Sequence, residues 1–216
     1  GQYSAFVASG ALSLADGIRL VRERGRLMQA SGAGREGRMA ALIGLDEARL
    51  PELVAAASAK GVFGVANRNA PGQVVVSGER AAVAAGIEIA RALGARRAIE
   101  LPVSVAAHSP LMAEAAERLA EVIAGIAFSD PHPAGLANAD ARPIRTAADV
   151  RAELVEHLTA GVDWVRAIET MTAGGVMTFI EIGPGRVLTG LTSRIAPAAT
   201  VVATDAPANS DGLAVP

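Results

Sequence analysis

Apolar positions along this chain recur at two spacings, and the alternation between them sets out its elements. Intervals of three and four residues predict helices over 2–9, 14–30, 46–60, 79–93, 109–124, 146–158 and 162–174, with another after 186. Short β-branched or alternating runs predict strands at 38–45, 62–69, 74–78, 95–101, 136–144, 176–183 and 200–204. Local signals support the boundaries. Ser13 to Asp16 and Thr146 to Asp149 have the form of capping boxes, and Ser109-Pro110 pairs a favoured N-cap with a favoured first helical residue.

Between 37 and 102 the order is βαββαβ, the ferredoxin-like split unit. The glycine-rich SGAGREG loop and Pro102 bound it, so it reads as a small domain inserted into a larger one made of 1–36 and 103–206. Asn67, Asn69 and Gln73 fall around its central turn, where turn chemistry accounts for them. Residues 207–216, rich in Ala, Gly, Asn and Asp, read as a flexible tail.

Two residues break the apolar pattern in a way that suggests chemistry. The run Leu101 to Ala107 ends in His108, immediately before the helix start at Ser109, so the imidazole is expected between a strand end and a helix N-terminus. That is the ligand-binding crevice of open α/β sheets, and a helix N-terminus favours a neutral, proton-accepting ring. A hydrogen-bonded structural histidine is the alternative. Arg24 shares a stripe with Leu14, Ile18, Val21 and Met28, while Arg19, Arg22, Glu23 and Arg26 take the other side. An arginine on an apolar stripe needs an anion, either a structural carboxylate or a substrate carboxylate or phosphate.

Composition narrows the field. The 216 residues are 51% apolar with net charge −2, enough for a sizeable core and without the basic excess of a nucleic-acid or anionic-membrane binder. There is no cysteine, which excludes a disulfide framework, a thiolate nucleophile and a cysteine metal site. His108, His132 and His157 are scattered, so no metal site is expected, and no cofactor is implied. No run of about 18 uncharged apolar residues offers a membrane span, and the first residues lack the pattern of a secretion signal. A cytoplasmic location is expected.

Taken together, GQYSAFVASGALSL, RERGRLMQ, NRNAPGQVVVSG, LPVSVAAHSPLM, ARPI and FIEIGPGRVLTGL resemble, in order, the malonyl-CoA:acyl-carrier-protein transacylases and the related polyketide acyltransferases. The resemblance implies an α/β-hydrolase-like large domain carrying the ferredoxin-like small one, with the active site between them. It implies transfer of malonyl from malonyl-CoA to the phosphopantetheine thiol of an acyl carrier protein through a serine ester. His108 matches the catalytic base and Arg24 the arginine that grips the malonyl carboxylate. Met28 resembles a residue lining the acyl pocket. His157 stands where the bacterial enzymes often carry a glutamine whose main-chain carbonyl orients the base. Gly1 matches the last glycine of the family's G-H-S-x-G, so the nucleophilic serine is expected just before Gly1, and these residues alone are expected not to form the acyl-enzyme. Two other functions compete. One is a polyketide-type transferase using methylmalonyl, for which the small side chains of Ala106 and Ala107 would leave room. The other is an inactive fragment that binds carrier protein.

Overall fold

A computed structural model describes residues 1–32 and 36–205; part of the SGAGREG loop and the whole of the tail assigned to 207–216 lie outside the described residues. Four strands form the expected small sheet: β1 (Gly37–Ile43), β2 (Phe63–Ala70), β3 (Gln73–Glu79) and β4 (Arg97–Glu100). Their order is β4-β1-β3-β2, with every neighbouring pair antiparallel. Helices α3 (Leu50–Ser58) and α4 (Arg80–Ala92) cross over between them, as the split βαβ pattern requires. Strand alternation fixes what each face does. Ala40, Leu42, Val74 and Val76 pack with Leu53 and Ile87 in one core, while Met39, Ala66 and Val75 point to the opposite face and meet Leu101 and Ala107.

The second core is helical. Helices α1 (Gln2–Ala8), α2 (Leu14–Ser31), α5 (Ala113–Ala124) and α6 (Ala147–Glu156) bring together Phe6, Leu20, Leu27, Leu119 and Leu154, joined by Leu158 from the turn after α6. Thr146 caps α6 through a full reciprocal box with Asp149. Ser13 caps α2 by accepting from Asp16 N at 3.1 Å, but its hydroxyl also donates to the Asp16 carboxylate, so only half of a box forms there.

Several expectations need correction. No strand precedes His108: β4 stops at Glu100, and residues 101–107 run irregularly. Gly37 explains part of this, because a Cβ there would lie 2.5 Å from Ala106 N, so the loop rests directly on the start of β1. The stretch 136–144 is two short strands, β5 (Gly135–Leu136) and β6 (Pro143–Ile144), paired antiparallel around Asn138 to Arg142. Asn67 and Asn69 lie within β2, so the turn is Pro71-Gly72 alone. The stripe read on α2 is displaced. Leu14, Ile18 and Val21 are 66%, 63% and 51% exposed, and the buried face is Gly17, Leu20, Leu27 and Met28. Arg24 stands between Leu20 and Leu27 on that buried face, so the reason for singling it out survives the correction.

Two strand pairings lay beyond the pattern, one at residues 162–163, which were expected to open a helix, and one between the expected strands at 176–183 and 200–204. Strand β7 (Val162–Asp163) joins the small sheet as a fifth strand, parallel to β2 through Asn67 and Arg68, just before α7 (Trp164–Ala173). Strands β8 (Thr178–Glu181) and β9 (Thr200–Ala203) form a separate parallel pair, connected through α8 (Val187–Ile195). No helix among the described residues is long and apolar enough to cross a membrane.

Candidate functional site

The site is built on the end of α6. The last carbonyls of a helix have no partner within it and carry the negative end of its dipole. Here the turn from His157 to Ala160 offers three of them to one residue. His108 Nδ1 lies 2.8 Å from His157 O and 3.0 Å from Ala160 O, and the His108 main-chain N–H donates to Leu158 O at 3.1 Å. A carbonyl only accepts, so Nδ1 carries the proton and Nε2 is left with its lone pair free. His108 is thus held in the tautomer that a general base requires.

The backbone at His108 lies in the left-handed region, with φ 59°. That conformation costs a side-chain-bearing residue about 1–3 kcal/mol and persists where the surroundings impose it. The hydrogen bonds to the 157–160 turn supply that constraint. Ser109 locks the other side: its hydroxyl is buried and donates to Ala106 O at 2.7 Å, and its Oγ accepts from Leu111 N at the start of the next helical turn. Burial pulls the His108 imidazole below its ordinary value against the opposing effect of the two carbonyls, and the positive charge of Arg24 pulls the same way. The ring is neutral at neutral pH, as the sequence led one to expect, although burial is the largest cause.

Arg24 reaches this region from α2. Among the described residues it makes no ion pair, and its Nε is buried without a hydrogen-bond partner. Burial pulls the Arg24 guanidinium below its ordinary value, and among the described residues only the Tyr3 phenol opposes that shift. Leaving a buried donor unmatched costs about 1–3 kcal/mol, more for a charged group. Two further orphans surround it. Tyr3 OH on α1 and His157 Nδ1 at the end of α6 are both buried without partners, and their rings lie 6.4 Å apart. Burial pushes the Tyr3 phenol up to about 12 and, with Arg24 and His108 nearby, drives His157 down to about 3. The His157 ring also stands edge-on to His108 at 5.1 Å. Four segments therefore bring one guanidinium, one phenol and two neutral imidazoles together, with buried polar atoms that nothing among the described residues satisfies. An anionic ligand bearing a carboxylate would supply the missing acceptor for Arg24.

Of the residues singled out from sequence, His108, Arg24 and His157 converge. Met28 is buried in the helical core one turn beyond Arg24. His132 is exposed on its loop. Two serines close in sequence to these groups are already committed, Ser109 to Ala106 O and Ser9 to Phe6 O at 3.2 Å. Glu153 was missed. It is 2% exposed, accepts from Gln2 Nε2 at 2.6 Å and from Asn138 N at 2.9 Å, and lies one turn before His157. The signal was present: Glu153 falls on the stripe of Val150, Leu154 and His157, a charge on an apolar face like Arg24.

Residues 1–204 match the acyl transferase domain family. The malonyl CoA-acyl carrier protein transacylase of Salmonella typhimurium is 41% identical over 208 residues, which cover 96% of this chain and 67% of that protein. Among solved structures, the malonyl-CoA:acyl carrier protein transacylase of Xanthomonas oryzae superposes with a TM-score of 0.94 at 40% identity, covering 98% of this chain and 68% of that one. A malonyl-transacylase solved in complex with its type II PKS acyl-carrier protein gives a TM-score of 0.93 at 39% identity, covering 97% and 68%.

Proposed function

The chain belongs to the acyl transferase domain family, among the malonyl CoA-acyl carrier protein transacylases, and from that membership we propose how its own residues carry malonyl from malonyl-CoA to an acyl carrier protein. The observation that supports this most directly is the unpaired, half-buried Arg24 beside a His108 whose Nε2 is free. In this reading the guanidinium takes the free carboxylate of the malonyl group as a two-pronged ion pair, which plain acetyl groups do not offer. His108 Nε2 accepts the proton of a serine hydroxyl as that oxygen attacks the thioester carbonyl. It returns a proton to the departing coenzyme A sulfur, then repeats the exchange with the carrier protein's thiol.

The serine is the one the resemblance places just before Gly1, outside these 216 residues. The carbonyls of His157 and Ala160 take the place that a carboxylate holds in a Ser-His-Asp triad, keeping the proton on Nδ1 and stabilising the imidazolium during transfer. Met28, one turn from Arg24, contributes to the wall of the acyl pocket. No ionic or covalent cofactor enters these steps, and a cytoplasmic setting suits both substrates. A methylmalonyl preference draws no support from the alanines before His108: Ala106 is buried against Gly37 and Ala107 packs toward Met39 and Val75.

The test is malonyl transfer from malonyl-CoA to a phosphopantetheinylated carrier protein, using the protein with the G-H-S-x segment included. Transfer that discriminates against acetyl-CoA supports the assignment. Carrier-protein binding without turnover points instead to the inactive docking function.

A further inference from the structure

The turn that holds His108 is itself pinned at both ends by one residue. Asn138, in the β5–β6 loop, donates its main-chain N–H to Glu153 Oε1 on α6, ahead of the turn, at 2.9 Å. Its main-chain carbonyl accepts from Asp163 N, beyond the turn, at 2.7 Å. Its side-chain Nδ2 donates to Gln2 Oε1 at 2.8 Å, and Gln2 Nε2 returns to Glu153 Oε1 at 2.6 Å. Gln2, Asn138 and Glu153 thus form a closed ring joining α1, the hairpin and α6, and Arg142 stands 3.6 Å from the second Glu153 oxygen. Glu153 O in turn accepts from His157 N at 3.0 Å, so the ring connects through one helical bond to the carbonyl that holds the base.

We propose that Glu153, with Gln2 and Asn138, is a positioning group for the base: the ring fixes the His157–Ala160 carbonyls against α1, and so fixes the direction in which His108 Nε2 points. The role follows from cost and placement. A buried carboxylate is expensive to desolvate, and an apolar side chain at 153 would pack against Val150 and Leu154 without that expense. What an apolar residue would not supply is an acceptor for Gln2 and Asn138 together. The proposal rests on the transacylase assignment only for its kinetic consequence. The geometric consequence, the state of the His108 Nδ1 proton, is independent of it.

The experiment uses the full protein with ¹⁵N-labelled histidine. It compares wild type with Glu153→Ala, Glu153→Gln and Gln2→Ala, reading the His108 Nδ1–H resonance, kcat and KM for malonyl-CoA. For Glu153→Ala the expected result is a moved or broadened resonance and a fall in kcat of about 10- to 100-fold, with KM nearly unchanged, as misplacement by an ångström produces. Glu153→Gln, which keeps an acceptor oxygen, restores both. Gln2→Ala gives a smaller loss in the same direction and decides the matter if Glu153→Ala fails to fold. Folded variants with lowered thermal stability but wild-type resonance and kcat would overturn the proposal. Should wild type show no malonyl transfer, the functional assignment falls, and the resonance comparison alone decides whether the ring positions the histidine.

Discussion

The imidazole Nδ1 of His108 and the main-chain oxygen of His157 are 2.8 Å apart, and the contact is made by a backbone atom, not a carboxylate. With Ala160 O at 3.0 Å on the same nitrogen, the imidazole is oriented by groups that bear no full charge and do not titrate. Replacing His108 by alanine is expected to lower malonyl transfer by about 10²- to 10⁴-fold, the usual contribution of a general base. Steady-state kinetics on the folded variant check this.

Because the orienting group is a carbonyl, the His157 side chain is dispensable for that purpose. His157→Gln keeps the backbone and is expected to retain kcat within a few-fold of wild type. His157→Pro, which removes the N–H that bonds Glu153 O, is expected to lose it. Turnover of the two variants, normalised to folded protein by circular dichroism, separates backbone from side chain.

The same side chain sets a pH dependence of stability. His157 falls from its ordinary 6.5 to about 3 on folding, chiefly through burial and then through Arg24 and His108. The folded state therefore binds fewer protons than the unfolded one between those values. The stability is fully present above pH 6.5 and is lost as pH falls toward 3, with a slope of at most about 1.4 kcal/mol per pH unit for a single proton. His108, shifted in the same direction by burial, adds to the loss. Urea midpoints measured from pH 7 to 4 are expected to fall more steeply for wild type than for His157→Gln.

Arg24 is expected to govern which acyl group is accepted. Arg24→Ala should lower kcat/KM for malonyl-CoA by roughly 10- to 100-fold, the worth of a buried hydrogen bond to a charged group, while acetyl-CoA loses little. Arg24→Lys should recover only part, since an ammonium does not reproduce the planar fork. Competition between malonyl- and acetyl-CoA is the measurement.

Gly37 connects the small sheet to the loop that leads into His108. A methyl group there would meet Ala106 N and Cβ at 2.5 and 2.8 Å, so Gly37→Ala must displace the loop two residues before His108. A loss of about 1–3 kcal/mol is expected, as for other overpacked sites. It should be accompanied by reduced transfer even at temperatures where the variant is fully folded.

The sequence made the small sheet legible because each of its elements has its own periodicity and its turns have their own chemistry. It made Arg24 and His108 legible because each interrupts an apolar pattern. It misplaced the buried face of α2, since two apolar stripes run along that helix and Gly17 weighs little in a hydrophobicity count. Only packing distinguishes the face of Leu20 and Leu27 from that of Leu14 and Ile18. The strand expected before His108 failed for a related reason: Val103 and Val105 suit a strand, but the close contact of Ala106 with Gly37 bends the chain away from any ladder. The ring of Gln2, Asn138 and Glu153 joins positions more than a hundred residues apart, and local spacing carries no trace of that juxtaposition.

Strand β7 has a mechanical side. It adds only Val162 and Asp163 to the edge of β2. Yet it lies two residues after Ala160, whose carbonyl holds the His108 ring, so the chain passes from that contact to the sheet edge with almost no slack. A hinge between the two cores would ordinarily let a small domain swing without disturbing chemistry on the large one. Here residues 160–163 tie the two cores directly, so a tilt of the small sheet would pull on the acceptors of the His108 imidazole.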